Sequence, residues 1–93
     1  MSDSLLDTQK YICYRCGRYG PTEKHHIFGG ANRKHSEADG LFVFLCRACH
    51  NLPPEGAHFN KDTAEWLHRA GQTAYEQTHT RTEFMKRYGR NYL

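Results

Sequence analysis

No stretch of the 93-residue chain approaches the roughly 18 consecutive apolar residues that a membrane-spanning helix needs. No run of like charges reaches five, which excludes a strongly basic or acidic tail. The N-terminus, Met-Ser-Asp-Ser-Leu-Leu-Asp, lacks the basic region and apolar run of a secretory signal, so a soluble chain kept in a reducing compartment is expected. Apolar side chains are scarce too: 38% of residues are hydrophobic and the mean hydropathy is −0.87. A single small domain of this kind buries only about 60% of its unfolded surface and commonly needs a staple. Thirteen Lys and Arg against ten Asp and Glu leave a formal charge of +3, which permits a nucleic-acid partner without demanding one.

Against that thin core stand four cysteines and seven histidines. The cysteines form two pairs, Cys13-Tyr-Arg-Cys16 and Cys46-Arg-Ala-Cys49, with 29 residues between them. Two intervening residues let a chain turn so that both thiolates face one metal about 2.3 Å away, so the pairs read as a tetrahedral four-thiolate zinc site. Two disulfides are the alternative, disfavoured without a secretion signal. A thioredoxin-like redox pair is another, but no βαβ pattern surrounds either motif. Zinc held in this way would supply much of the missing folding energy.

The expected architecture is a small α+β domain. Residues 1–10 are polar and aperiodic and read as disordered. A first knuckle spans residues 11–20, and Glu23 to Phe28 reads as a short strand ended by Gly29-Gly30. A polar loop from Ala31 to Gly40 leads into the apolar strand Leu41–Leu45, and the second knuckle opens a short helix over Arg47–Leu52 that Pro53-Pro54 stops. Asn60 is an N-cap for a helix over 61–78, with Ala64, Leu67, Gly71, Ala74 and Thr78 on one face and Trp66 and Leu67 in the core. Thr80-Arg-Thr-Glu83 is a capping box for a last helix ending near Gly89. Its Phe84, Tyr88 and the following Tyr92 pack on the core between Lys86, Arg87 and Arg90, so 61–93 forms a helical extension of the domain built by 11–60.

Adjacent His25 and His26 carry the most chemical information. Neighbours on a strand point to opposite faces, so the two serve one site only at a strand end, where the chain is twisting. Neutral imidazole binds divalent metal, and a free imidazole can take a proton from water, so the pair can divide into ligand and base. His50 follows the second knuckle directly, and this placement is expected to bring His25, His26 and His50 together. The bland alternative is three ordinary surface histidines, which is the reading given to His35, His68 and His79.

The combination of Cys13/Cys16, His25-His26-Ile27-Phe28 and Leu45-Cys46-Arg47-Ala48-Cys49-His50-Asn51 resembles the HNH (ββα-metal, His-Me finger) endonucleases with a four-cysteine zinc site, of bacteriophage or prophage type. The resemblance implies a hairpin packed on a helix around one catalytic Mg²⁺, Mn²⁺, Ni²⁺ or Zn²⁺, besides the structural Zn²⁺. It implies His25 and His50 as ligands of that cation and His26 as the general base in hydrolysis of DNA phosphodiester bonds, in the cytoplasm of a bacterial host. His58 is a further candidate ligand from the loop beyond the prolines. Arg33, Lys34 and Arg47 are the expected types for phosphate contacts. One departure stands out: where the family has its middle Asn this chain has Leu41, with Asn32 or Asn51 as possible stand-ins. The competing class is a non-catalytic zinc module contacting DNA or protein, for instance in a phage packaging or recombination assembly. Such a module needs the cysteines but gains nothing from the paired imidazoles. Double-strand cleavage would call for a homodimer or a phage protein partner, because the chain has one site.

Overall fold

The structure, a computed structural model, describes residues 4–93. Two short strands, β1 (Glu23–His26) and β2 (Phe42–Leu45), pair antiparallel with Glu23 opposite Leu45 and His26 opposite Phe42. Strand alternation puts Glu23 and His25 on one face of β1 and Lys24 and His26 on the other. The apolar run is the centre of the core: Leu41, Val43 and Leu45 have no exposed surface.

The segment between the strands is not the open polar loop that its composition suggests. A 3-10 turn over Gly30–Asn32 runs directly into helix α1 (Arg33–Ala38). Arg, Lys, Glu and Ala are good helix formers, and no Gly or Pro interrupts residues 31–39. Ser36 is fully buried, with its hydroxyl bonded to the Leu41 carbonyl. Gly40, at φ +72°, turns the chain so that Leu41 N donates back to Ser36 O at 2.8 Å.

Helix α2 (Arg47–His50) is the second knuckle's single turn, shorter than the span expected to Leu52. Helix α3 (Lys61–Tyr75) starts as the sequence suggests, with Asn60 Oδ1 accepting from Thr63 N at 2.9 Å. It stops three residues early, because Gln77 and Thr78 N–H switch to the i−3 carbonyls of Ala74 and Tyr75. Gly71 lets α3 approach the chain just beyond β1, since a Cβ there would stand 2.9 Å from Ile27 Cγ2 and 3.1 Å from Phe28 Cε2. Helix α4 (Arg81–Tyr88) carries the full capping box, Glu83 N to Thr80 Oγ1 at 3.1 Å and Thr80 N to Glu83 Oε1 at 2.8 Å.

Phe28 gathers the aromatic half of the core, with Phe84, Tyr88 and Tyr92 ring centroids 4.6–5.4 Å from its own. His68 belongs to this cluster and not to the surface: it stacks on Phe28 at 5.4 Å and meets Tyr92 at 4.6 Å. Burial there holds its pKa below the usual imidazole value. Trp66, expected in the core, is 40% exposed and leans on Tyr14 instead. Arg87 Nε and Tyr88 Oη both donate to Asp39 Oδ2 at 2.6 Å, which ties α4 to the end of α1.

The N-terminal segment read as disordered is tied down wherever it is described; residues 1–3 lie outside the described residues. Ser4 Oγ donates to Phe42 O at 2.6 Å, Leu5 N to Gly40 O at 2.7 Å, and Phe44 N donates to Thr8 Oγ1 at 3.0 Å. Ser4 and Thr8 thus pair with backbone groups on the free edge of β2, while Leu6 is buried in the core.

Phe84→Ala empties the meeting point of Phe28, Tyr75 and Tyr88, and a buried Phe truncation of this kind costs about 3–5 kcal/mol. Urea unfolding at fixed zinc concentration should show that loss as a lower midpoint with little change in slope.

Candidate metal centres and active site

All four cysteines are free thiols, and their sulfurs lie within 4.8 Å of one another. The first knuckle forms because Gly17, at φ +77°, returns its N–H to Cys13 O at 2.9 Å. In the second, Cys46 caps α2, its carbonyl accepting from Cys49 N and His50 N. Sulfurs placed tetrahedrally about 2.3 Å from a zinc ion are about 3.8 Å apart. Cys16 Sγ and Cys46 Sγ are 3.8 Å apart, so the cluster fits a structural metal such as zinc.

The thiols do not ionise alike without a cation. At Cys13 burial opposes the charge, but backbone N–H groups of Cys16, Cys46 and Arg15 outweigh it and bring the pKa down to about 6. Burial and the neighbouring sulfurs of Cys46 and Cys13 push Cys49 strongly up. Four thiolates in one place need a divalent charge at their centre.

A second cluster joins β1, α2 and the following loop. His25, His50 and His58 offer ring nitrogens within 4.8 Å of one another, and His50 Nε2 and His58 Nε2 are 3.1 Å apart. The loop returns beside α2 because Ala57 N donates to Cys49 O at 2.8 Å and His58 N to His50 O at 3.2 Å. Glu23, two residues before His25 and on the same face of β1, has Oε1 2.9 Å from His50 Nδ1. A carboxylate accepting the Nδ1 proton leaves Nε2 as the free donor atom facing His58. Burial, then the charges that His50 and His58 can carry, hold the pKa of His25 down to about 3, so it is neutral and able to ligate at any ordinary pH. The donor set fits a divalent cation: three imidazole nitrogens converge, one of them already oriented by a carboxylate.

His26 is not in this trio. On the opposite face of β1, its Nε2 is 2.7 Å from Glu37 Oε1 on α1, and its ring lies against Phe42. Arg33 Nε donates to His26 Nδ1 at 3.4 Å, so the proton resides on Nε2 and Glu37 accepts it. Lys24 Nζ, 2.7 Å away, and then His26 hold the Glu37 carboxyl below its usual pKa, keeping it ionised. The expectation that His25, His26 and His50 converge is therefore met for His25 and His50 only, and His58 takes the third place.

Arg33 and Lys34 stand on α1 and not on a loop, and they line an open recess of about 550 Å³ with His26, Gly30 and Glu37. Arg47 opens α2. Neither proposed Asn substitute reaches His26: Asn32 Nδ2 donates to Tyr88 O at 3.2 Å, and Asn51 is the C-cap of α2. Leu41 is wholly buried. The residues that sequence reasoning missed are Glu23 and Glu37. Strand alternation could have revealed Glu23, whereas Glu37 was hidden by reading α1 as a loop.

Cys46→Ala, or prolonged chelation of the wild type, should remove zinc and with it the cooperative unfolding transition, because metal binding and folding are coupled. Circular dichroism beside metal analysis reads this; folded, zinc-free Cys46→Ala protein would sink the staple argument.

No protein-family model, curated protein or solved structure matches the chain, so the functional reading rests on the chemistry of these two clusters and the His26–Glu37 pair.

Proposed function

We propose that this chain is a metal-dependent endonuclease of the HNH type, hydrolysing DNA phosphodiester bonds. The observation that carries the reading is the split of a histidine pair across one strand end: His25 joins a three-imidazole ligand set, while His26 is oriented by a carboxylate. A zinc-stapled binding module has no use for either arrangement. In this reading His25, His50 and His58 hold the catalytic cation, with Glu23 fixing the ring of His50. A divalent cation held there would supply charge neutralisation to phosphodiester hydrolysis.

The chain's own groups do the rest. His26 Nδ1 is the basic nitrogen and takes a proton from the attacking water. Its Nε2–H is held by ionised Glu37, which both aims the ring and stabilises the imidazolium that forms. Arg33 occupies Nδ1 only through a long bond, and its guanidinium is free to move onto a phosphate oxygen. With Lys34 it positions the backbone in the recess without reading base sequence. Three nitrogen donors and no carboxylate in the ligand set suit Ni²⁺ or Zn²⁺ better than Mg²⁺.

Nicking of supercoiled plasmid by zinc-loaded protein tests the reading. Activity should appear with Ni²⁺ at lower concentration than with Mg²⁺. His26→Ala should lower the rate by about 10²–10⁴-fold, the range of one general base, with zinc content and circular dichroism unchanged. Glu37→Gln should lower kcat by a smaller factor at unchanged KM. Absence of nicking with every cation, in folded protein holding zinc, would leave the non-catalytic binding module as the reading.

A further inference from the structure

A second recess, of about 400 Å³, opens where the first knuckle leaves toward β1 and α2 begins, bordered by Arg18, Tyr19, Pro21, Arg47, Ala48 and Leu52. No carboxylate lines it. Neither arginine is ion-paired among the described residues, whereas Arg15, Arg81 and Arg87 are. Tyr19 is 81% exposed, more than any other large hydrophobic side chain among the described residues, and among them no ring or cation stacks on it. Its backbone is nevertheless fixed: Tyr19 pairs with Ile12, and Gly20 N donates to Tyr11 O at 2.8 Å, within the knuckle that the cysteines hold. An exposed aromatic on a fixed backbone, sharing a recess with two guanidinium groups that have no ion pair among the described residues, is complementary to a flat ring carried on a chain of negative charges. Arg47 also lies one helical turn from His50.

We infer that this recess binds an unpaired stretch of nucleic-acid strand, with one base stacked on Tyr19 and its neighbouring phosphates against Arg18 and Arg47. Paired bases in a duplex already stack on their neighbours and present only their edges, so a tyrosine face is useful to a strand that is frayed, flapped or single. The inference shares with the nuclease reading only the class of partner. Binding here requires neither a cation in the trio nor a base at His26.

Fluorescence anisotropy on zinc-loaded protein, with no other divalent cation added, separates this from cleavage. The probes are a single-stranded oligonucleotide and the blunt duplex of the same sequence. Tyr19→Ala should weaken single-strand binding by about 5- to 150-fold, the range of one stacked base, and leave duplex binding nearly unchanged. Tyr19→Phe should bind as the wild type does. Arg18→Gln and Arg47→Gln should each reduce the slope of log affinity against log salt by about 0.7, one single-strand phosphate apiece. Three results would overturn the inference. The first is unchanged single-strand affinity in Tyr19→Ala, and the second an equal loss on duplex. The third is Tyr19→Phe as weak as Tyr19→Ala, which would assign the hydroxyl to a phosphate. Sedimentation of the same samples covers the remaining occupant: a dimer that Tyr19→Ala dissolves, without change in affinity, would make the recess a contact between two copies of the chain.

Discussion

Four sulfur atoms held within 4.8 Å of one another are the constraint on which the rest of this structure depends. They bring together two chain segments 30 residues apart, and everything between, β1, α1 and β2, becomes a closed loop anchored at both ends. Two four-residue strands make only a marginal hairpin by themselves. Here the hairpin is clamped at the cysteine end, edged by Thr8 and Ser4, and flanked by α1 and α2. The clamp also sets the chemistry, because His50 follows Cys49 directly and Arg47 follows Cys46. A candidate ligand histidine and an arginine are thus placed by the same turn of helix that presents two of the cysteines.

From that anchor, the two-residue period of β1 decides which side chains can cooperate. Glu23 and His25 share a face and meet His50; Lys24 and His26 share the other and meet Glu37. His50 and His26 therefore each receive a carboxylate, and each carboxylate does a different thing. Glu23 fixes a ring whose far nitrogen lies by His58, while Glu37 fixes a ring that lines an open recess and whose far nitrogen accepts from Arg33. In the proposed reaction this division keeps the base out of the ligand set, where a cation would compete with a proton for its lone pair.

Local signals were legible where a short pattern has one physical meaning. The paired cysteines, the Asn60 cap and the Thr80–Glu83 box could each be read because the ligand or N–H that they serve lies within three residues. The trio was legible in part. His25 and His50 stand beside recognisable motifs, while His58 returns only through the Ala57 and His58 backbone bonds to α2. What failed were features decided by tertiary contact. Residues 33–38 look like a loop until Ser36 is seen buried against Leu41, and His68 looks like a surface residue until Phe28 and Tyr92 enclose it. Trp66 erred in the other direction, since its size suggests burial but its place on α3 turns it toward Tyr14 near the surface.

Under the proposed HNH reading, the Leu41 that stands in place of the middle Asn acquires a physical reason once α1 is in place. In that reading the position would orient the base, whereas Leu41 fills the core with no exposed surface. Its backbone still serves β1, since Ile27 N donates to Leu41 O at 3.0 Å, immediately after His26. The task of orienting His26 is left to α1, which projects Glu37 to 2.7 Å and Arg33 to 3.4 Å from the same ring. An ionised carboxylate stabilises an imidazolium more strongly than a neutral amide does, because one charge then opposes another. Under the proposed chemistry, Leu41 therefore marks a transfer of the orienting role from the strand to a neighbouring helix, not a loss of it.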